Sequence, residues 1–483
     1  MTIPMCMLLG YLVVTFCVGL TSSKHSKNTK EFFIAEKNLT TPLIITMLFS
    51  ELIAGAGTIG NAAIAFRQGL NSVWANWGMA LGCILFVLLV AKFFRAMSCV
   101  KGAISTPEAY AAFFDNRSRI VMLFNITIVY FILYSTQAVA AAAILTPLFG
   151  GDETLITWLI TALFIGATLF GGMKGIAKMN AVHALVMFIG MLIVALKSLQ
   201  SVGGISGLHE ALPASYFSFI QPDLPTVIAQ VIGTAIGFLA SANVVSATFS
   251  AKSFSSVRRG VSIAGLLVVP FALMPTVIGL CARITLPEIQ ANNALFAMAN
   301  NLGGVYGGLV SMAIIAAIFS TAPALLLIVC TTLTKDLYKG FIHKQGSEQQ
   351  QMRFSRLMAI LIGIAGTLFG RQAGPIMNQM LGAFQIRSVV GLILVIALYW
   401  PRVTKDAAFY SMLVGGIVAS IWHFTGNPFQ LAPLWPSIAV ALIILVVLTI
   451  RNKGKESAGY KAYLDALQEF NELEDCEEKS KNK

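Results

Sequence analysis

Two adjacent hydroxyl side chains, Ser320 and Thr321, lie inside a long apolar stretch and are followed closely by Pro323. Because proline has no N–H, the carbonyl of Phe319 one turn earlier loses its helical donor. Hydroxyl and carbonyl oxygens are the ligands that hard cations prefer to sulfur. The pair is therefore a candidate cation site, and the alternative is that each hydroxyl only bonds back to a carbonyl of its own helix.

A second apolar stretch, residues 50–61, contains the carboxylate of Glu51 and the glycines Gly55, Gly57 and Gly60. An ionisable side chain at the middle of a membrane costs at least about 2.5 kcal/mol, and a glycine weakens a helix by about 0.5–1 kcal/mol relative to alanine. Such a segment is typical of a helix divided into two halves, whose loosened carbonyls face an ion. The alternative is that the glycines only admit a neighbouring helix.

A third segment repeats this irregularity, because Gly233, Thr234 and Gly237 are followed by the polar residues Ser241 and Asn243. Interrupted helices in corresponding positions of two halves are a sign of inverted repeats, and the ion and solute sites of secondary transporters lie between such repeats. The two segments together therefore favour a transporter over ordinary helix packing.

Glu51 and Arg387 are charged residues that membrane topology does not explain. Arg387 lies two residues after Gln385, and its guanidinium can hold a carboxylate through two parallel hydrogen bonds. Two hypotheses stay open for these residues. They bind a solute in the centre of the protein, or they pair with each other or extend their charged ends to the membrane surface.

These residues must be positioned by membrane helices, since 57% of the 483 residues are hydrophobic, only 11% are charged, and the mean hydropathy is +0.79. Windows of about 20 apolar residues predict about thirteen spans, with separate spans at residues 155–172 and 180–199. Lysine and arginine collect in alternate loops, which places the N-terminus outside and the C-terminus inside. The net charge of +12 is thus a topology signal, and we expect no nucleic-acid partner.

Motifs that would indicate an enzyme are absent from the sequence: there are no paired carboxylates, no HExxH, no nucleophile elbow, and only five histidines. The seven cysteines show no CxxC spacing, so neither a zinc site nor a disulfide framework is predicted. The sequence therefore predicts that the protein is not an enzyme.

Four further motifs follow one another along the chain: FFIAEKN at residues 32–38, Thr106-Pro107-Glu108, FGGMKG at residues 170–175, and TKDLYK at residues 334–339. They are similar to the aromatic-rich entry to the second span, the TPE-containing loop, the YGG turn and the T-x-D-[IL]-Y-K ending of the sodium:solute symporter family. From about residue 32 to residue 450, the chain resembles that family.

The resemblance implies an all-α polytopic membrane protein with a leucine-transporter-type core of two inverted five-helix repeats. It divides the chain into an extra N-terminal helix with an inner loop (1–38), a first repeat (39–200), a second repeat (201–400), two further helices (401–451) and a cytoplasmic tail (452–483). The implied partners are the sodium ion, a small organic solute and the lipid bilayer of a bacterial inner or plasma membrane. A monomer suffices for this function, and the oligomeric state is left open.

The resemblance also assigns candidate site residues. The main sodium site of the family falls here on the carbonyls of Ser50, Ile53 and Ala317 and on the hydroxyls of Ser320 and Thr321. We expect the solute to contact residues near the interrupted helices: Glu51, Gly55, Gly57, Thr234, Gly237, Gln385 and Arg387.

The departures from the family also matter. Many members carry an Asn-Gln pair and a Gln-Arg pair that serve the substrate or its gate. Residues 241–247 contain neither pair, so a sugar site like that of the family is not assigned to this chain. Asn180 stands where many members have an aspartate linked to a second sodium, which predicts one coupling sodium. The expected function is sodium-coupled import, by alternating access, of a small solute that bears a carboxylate, such as an amino acid or monocarboxylate. The alternatives are an uncharged solute (a sugar, polyol or ureide) and a transporter-like sensor.

Overall fold

The computed structural model describes residues 2–23, 38–451 and 457–481, with the side chains of residues 16, 19–23, 170–175 and 475–481 left out. Within this part the chain is helical apart from short connections and an isolated bridge between Leu39 and Ala251. The predicted all-α class is therefore confirmed. Most of the FFIAEKN motif lies outside the described residues.

The described α-helices are, in chain order, α1 (Ile3–Ser23), α2 (Thr41–Gly55), α3 (Asn61–Gln68), α4 (Trp74–Leu89), α5 (Ala91–Cys99), α6 (Thr106–Phe113), α7 (Asn116–Phe149), α8 (Glu153–Ser201), α9 (Gly204–Ala211), α10 (Leu224–Leu239), α11 (Ala242–Ser250), α12 (Phe254–Thr285), α13 (Ala294–Leu302), α14 (Gly304–Thr332), α15 (Glu348–Gly370), α16 (Ile376–Tyr399), α17 (Lys405–Phe424), α18 (Leu434–Arg451) and α19 (Ala458–Lys481). Two π-helices, Ala56–Gly60 and Leu333–Ile342, join α2 to α3 and extend α14. Short 3₁₀ helices occupy Leu70–Val73, Ala214–Phe217, Ala291–Asn293 and Pro428–Gln430.

Several helices begin at a side chain that accepts a hydrogen bond from an otherwise unpaired N–H of the first turn, which stabilises a helix by about 1 kcal/mol. The capping residues are Ser105, Asp115, Asp152, Asp223, Ser253, Ser347 and Thr404. The polar residues between apolar stretches thus fix where the helices start.

In the described residues, eleven helical segments are long and apolar enough to cross a membrane, and two shorter apolar helices lie at Ile3–Thr15 and Glu153–Leu169. Multiple membrane spans are therefore confirmed, whereas the total of thirteen and the orientation of the termini stay predictions.

Helix α8 differs from the expected pair of spans, because its backbone is helical without interruption for 49 residues. The FGGMKG motif lies inside this helix, and its side chains lie outside the described ones. A glycine within a helix costs only about 1 kcal/mol, which neighbouring turns can offset. The apolar segments Glu153–Leu169 and Ile176–Ser201 lie on either side of the motif. The glycine pair therefore does not end the helix as the sequence suggested.

Helix α14 forms the centre of the bundle. In the segment Gly304–Ile342, 94% of the most apolar 18-residue stretch is buried. It packs against α8, α7, α2 and α1. A helix that is apolar on all sides can face either lipid or other helices, and here the neighbouring helices cover it. The two hydroxyls of Ser320 and Thr321 are thereby held in the interior.

Helix α10 packs between α4 and α16 at very short backbone distances. A Cβ atom added to Gly78 on α4 would lie 2.0 Å from Thr234 Oγ1, and one added to Gly237 would lie 2.5 Å from the Phe384 carbonyl oxygen. Small residues permit such approach between membrane helices. As a result, α16 places Phe384 and Arg387 against the interrupted segment formed by α10 and α11.

Two of the motifs meet in a buried ionic cluster. Arg119 at the start of α7 donates to the Asp336 carboxylate at 2.8 Å and lies 3.4 Å from the Glu108 carboxylate. The Ser105 hydroxyl also donates to Asp336, at 3.1 Å. Because Asp336 is fully buried, these charge-assisted bonds offset the cost of removing its carboxylate from water. The TPE and TKDLYK motifs therefore join α6, α7 and the second π-helix.

Candidate functional site

The first interrupted helix breaks at Ala54, which has φ 45° and ψ −174° inside α2. Alanine rarely adopts this backbone conformation, and the strain costs about 1–3 kcal/mol. The break thus lies one residue before the glycines, which continue in right-handed helical conformation through the π-helix into α3. The glycines serve close contacts instead: added Cβ atoms would lie 3.4 Å from Ile318 at Gly55 and 3.1 Å from Asn76 at Gly57.

Replacing Ala54 by glycine is expected to raise the stability of the protein by about 1 kcal/mol, because glycine adopts positive φ without strain. The matched change Ala56→Gly is expected to lower stability by about 0.5–1 kcal/mol, since glycine weakens a regular helix. Ala56 has φ −70° and ψ −39°, so its backbone is helical. Thermal unfolding of the two purified variants measures the difference. Equal shifts for both variants would contradict strain at Ala54.

Oxygen atoms of α2 and α14 converge beside this break. The Ser320 hydroxyl lies 3.0 Å from the Ser50 carbonyl and 2.8 Å from the Ala317 carbonyl. The Thr321 hydroxyl donates to the same Ala317 carbonyl at 2.8 Å, and the two hydroxyl oxygens are 3.4 Å apart. All four residues are buried. We call these four oxygens the oxygen cluster; Ser50 and Ser320, which it joins, are 270 residues apart in the chain.

The carbonyl of Ile53, the fifth predicted ligand, lies on the same side of the break as Ser50. Ile53 is fully buried, and its carbonyl accepts a hydrogen bond from the Ala56 N–H. The hydrogen bonds of the described residues do not join it to the oxygen cluster. The structure therefore brings together four of the five predicted oxygens directly.

A small cavity of about 50 Å³ borders the oxygen cluster and is reached by both interrupted helices. Its walls are largely apolar and include Phe238, Met380 and Phe384. The polar side chains that line it are those of Glu51, Tyr130, Thr136, Gln137, Ser241, Asn243, Thr321 and Arg387. Thr321 thus belongs to both the oxygen cluster and the cavity, which places the two sites in contact.

Arg387 contributes the positive charge of the cavity and is only 1% exposed. Its Nε donates to the Gly237 carbonyl at 2.5 Å, and its Nη1 donates to the Tyr130 hydroxyl at 3.3 Å. The guanidinium carbon lies 4.6 Å from the centre of the Phe384 ring, a cation–π distance. Its Nη2 is buried without a hydrogen-bond partner among the described residues, so one donor of the guanidinium is unused.

Glu51 contributes a carboxyl group to the cavity and is 8% exposed. Its Oε1 accepts a hydrogen bond from the Asn180 amide at 3.3 Å. Within the described part of the chain, no ion pair joins Glu51 to Arg387 or to another basic residue. The described residues therefore do not contain the direct ion pair between Glu51 and Arg387 that one hypothesis from the sequence predicted.

The other five predicted solute contacts lie outside the lining of this cavity. Gly55 and Gly57 make the close contacts described above. The Thr234 hydroxyl bonds back to the Gln230 carbonyl at 2.6 Å, Gly237 offers its carbonyl to Arg387, and Gln385 packs beside Gly233. Any contact of these residues with a solute stays a prediction.

Sequence analysis missed the side chains that α7 adds to the site. The Tyr130 hydroxyl contacts Arg387, accepts the Asn243 N–H at 3.1 Å, and lies 3.3 Å from the Ser241 hydroxyl. It therefore connects α7, α11 and α16. Gln137 lies two turns further along α7 and could have indicated from the sequence that this helix contributes to the site. An amide inside an apolar span is costly unless it has a polar partner or a function.

Comparison with known proteins gives consistent matches over nearly the whole chain. A profile described as "Sodium:solute symporter family" matches residues 32–415. The osmoregulated proline transporter OpuE of Bacillus subtilis is 21% identical over 96% of this chain and 98% of its own. The sodium/proline symporter of Escherichia coli K12 is 22% identical over 94% and 96% of the two chains.

Solved structures with the same arrangement of helices are also transporters. A substrate-bound, outward-open Na⁺-coupled sialic acid symporter matches with a TM-score of 0.80 at 18% identity, over 93% of this chain and 98% of that one. Mhp1, a nucleobase-cation-symport-1 family transporter, matches in a closed conformation with a TM-score of 0.61 at 16% identity, over 90% and 98%. Likeness at these identities shows the fold alone, which is the predicted leucine-transporter type.

Proposed function

The chain belongs to the sodium:solute symporter family, and from this premise we propose that it imports a small carboxylate-bearing organic solute together with sodium by alternating access. It is a multi-pass protein of the cell membrane. The observation that carries the proposal is the contact of Ser320 with the Ser50 carbonyl across the break at Ala54.

The sodium ion binds between α2 and α14, with the carbonyls of Ser50, Ile53 and Ala317 and the hydroxyls of Ser320 and Thr321 as ligands. Five neutral oxygens suit a hard monovalent cation, which a thiolate site would not favour. The Ser320 and Thr321 hydroxyls donate to carbonyls of the same cluster, and sodium binding directs the lone pairs of both kinds of oxygen to the ion. Sodium therefore holds the first half of α2 against α14.

The solute carboxylate binds at Arg387, whose unpaired Nη2 faces no other acceptor in the described structure. Arg387 is held in place by the Gly237 carbonyl and the Tyr130 hydroxyl, so little side-chain freedom remains to be lost on binding. An uncharged solute would leave this buried cation without a counter-charge, which is costly. The proline transporters among the relatives support an amino-acid-like solute.

Coupling follows from the shared position of the two sites. Thr321 lines both, and α2 supplies ligands to the ion and walls to the cavity. Sodium that orders α2 therefore completes the solute cavity, so each ligand raises the affinity for the other by the same factor. The inward sodium gradient then supplies the work when the two repeats rock to open inward.

A thermal-shift screen of the purified protein, with sodium or potassium chloride, tests this function. We expect at least one small carboxylate solute to raise the melting temperature in sodium only, because binding to the folded state stabilises it. Stabilisation by uncharged solutes alone would refute the role of Arg387. Equal stabilisation in sodium and potassium would refute sodium coupling.

A further inference from the structure

The Glu51 carboxyl group lines the cavity and takes part in neither the proposed sodium binding nor the proposed carboxylate recognition. It projects from α2 into the cavity that Arg387 enters from α16, and neither side chain is ion-paired with the other in the described structure. A buried carboxyl group and a buried guanidinium therefore face the same space. An isolated buried charge is strongly unfavourable, so Arg387 needs an anion beside it, and the Glu51 carboxyl group carries a charge at low cost only beside a cation.

Two buried polar atoms on the Asn243 and Arg387 side chains that line the cavity have no hydrogen-bond partner among the described residues, one an acceptor and the other a donor. Near Glu51, the Asn243 side chain lines the cavity, and its Oδ1 is buried without a partner among the described residues. Glu51 also lies in the last turn before the break, where helix carbonyls carry partial negative charge. Arg387, in contrast, offers only donors. The cavity thus has an unused acceptor, the Asn243 Oδ1, and an unused donor, the Arg387 Nη2.

From this polarity, and resting on the proposed function, we propose that the solute is a zwitterionic amino or imino acid whose ammonium binds at Glu51 while its carboxylate binds at Arg387. An ammonium group has only donors, which suit Glu51 and the Asn243 Oδ1. The occupied cavity is then electrically balanced. A monocarboxylate without an amine leaves Glu51 unpaired, and a dicarboxylate places two anions together.

The cavity also restricts the side chain of the amino acid. Phe238, Met380 and Phe384 form apolar parts of its wall. A compact apolar side chain fits these walls, whereas a third charged group has no partner on them. Glu51 is therefore the residue that distinguishes small neutral amino acids from hydroxy acids of the same shape.

Matched pairs of compounds test this role in the purified full-length protein. The probes are L-proline with tetrahydrofuran-2-carboxylate, and L-alanine with L-lactate, each measured for binding in sodium chloride. In the native protein we expect at least one amino acid to bind at least about 30-fold more tightly than its oxygen analogue, since a lost buried charge contact typically has this effect. In Glu51→Gln, which keeps the shape of the side chain, the ratio is expected to fall to about threefold or less.

Two controls separate a specific effect from loss of folding. Glu153→Gln makes the same change at an exposed position at the start of α8 and is expected to keep the native ratio. Within Glu51→Gln, binding of the oxygen analogues is expected to stay within about threefold of the native protein, which an unfolded variant would not show.

Three other outcomes of these binding measurements would contradict the proposal. Equal sodium-dependent binding of amino acid and oxygen analogue by the native protein overturns the role of Glu51 but leaves the proposed symport of carboxylates intact. A Glu51→Gln variant that keeps its selectivity and loses only sodium affinity would make Glu51 a cation ligand instead. If none of the four compounds binds in sodium, this inference is refuted; the carboxylate substrate is refuted as well when the thermal-shift screen finds no carboxylate that binds.

Discussion

A variant in which Ser320 and Thr321 are both alanine is expected to lose sodium-dependent uptake and to need at least about a 100-fold higher sodium concentration for half-maximal binding. Each lost oxygen ligand resembles a lost hydrogen bond to a charged group, which costs about 1.5–3 kcal/mol. Two such losses exceed a factor of 100 in affinity. The measurement is sodium titration of solute binding to the purified variant, followed by uptake in proteoliposomes.

The same helix provides a matched control for this double variant. The Ser311 and Thr331 hydroxyls bond back to the carbonyls of Gly307 and Leu327 at 2.8 and 2.7 Å, as the hydroxyls of the site bond back to Ala317, but they lie about three turns from the oxygen cluster. Ser311→Ala with Thr331→Ala removes the same chemical groups and is expected to keep native sodium affinity. Unchanged sodium affinity in the Ser320 and Thr321 variant would remove the basis of the sodium site.

Replacing Arg387 by glutamine is expected to weaken solute binding by roughly 30-fold to several thousand-fold, because it removes one partner of a buried charge contact. Stabilisation of the variant by sodium alone is expected to persist, since Arg387 donates to the Gly237 carbonyl and the Tyr130 hydroxyl and not to the oxygen cluster. Binding assays with the solute found in the thermal-shift screen measure both effects.

Two further variants define the role of Arg387. Arg387→Lys keeps the charge but not the planar fork of donors, so an intermediate loss of affinity is expected. Arg371→Gln removes an exposed arginine that donates to Thr154, and it is expected to leave binding unchanged. Native solute affinity in Arg387→Gln would show that the carboxylate binds elsewhere.

Much of the architecture could be predicted because the membrane restricts the possible structures. Only helices and closed barrels satisfy backbone hydrogen bonds in lipid, so long apolar segments predict membrane helices directly. The contact between Ser50 and Ser320 was anticipated through a resemblance of motifs, since no local pattern relates residues so far apart in the chain. Their role as sodium ligands remains a proposal.

Other features depend on tertiary packing and left little trace in the sequence. Ala54 carries the positive φ, although glycine adopts this conformation more readily. The neighbouring glycines are helical and lie close to three other helices, Gly55 beside Ile318, Gly57 beside Asn76 and Gly60 beside Met377. The central position of Tyr130 depends on the approach of α11 and α16, which a single span does not reveal. The uninterrupted α8 likewise shows that tertiary packing can override the weak helix propensity of glycine.

For Glu51, the sequence showed that the residue is unusual, and the structure was needed to identify its hydrogen-bond partner. Its position in an apolar segment marked it as unusual, and two hypotheses about its partner were equally consistent with the sequence. The separate hydrogen bonds of Glu51 with Asn180 and of Arg387 with Gly237 and Tyr130 distinguish them. The distinction required knowing where both side chains lie, which no spacing rule supplies.

Sodium-coupled symport is tested most directly by solute uptake into proteoliposomes that contain the purified protein, under an inward sodium gradient. An amino acid identified by binding is expected to accumulate transiently above its external concentration, and this accumulation is expected to disappear when sodium is equal on both sides. Equal uptake with an inward potassium gradient in place of sodium would refute sodium coupling.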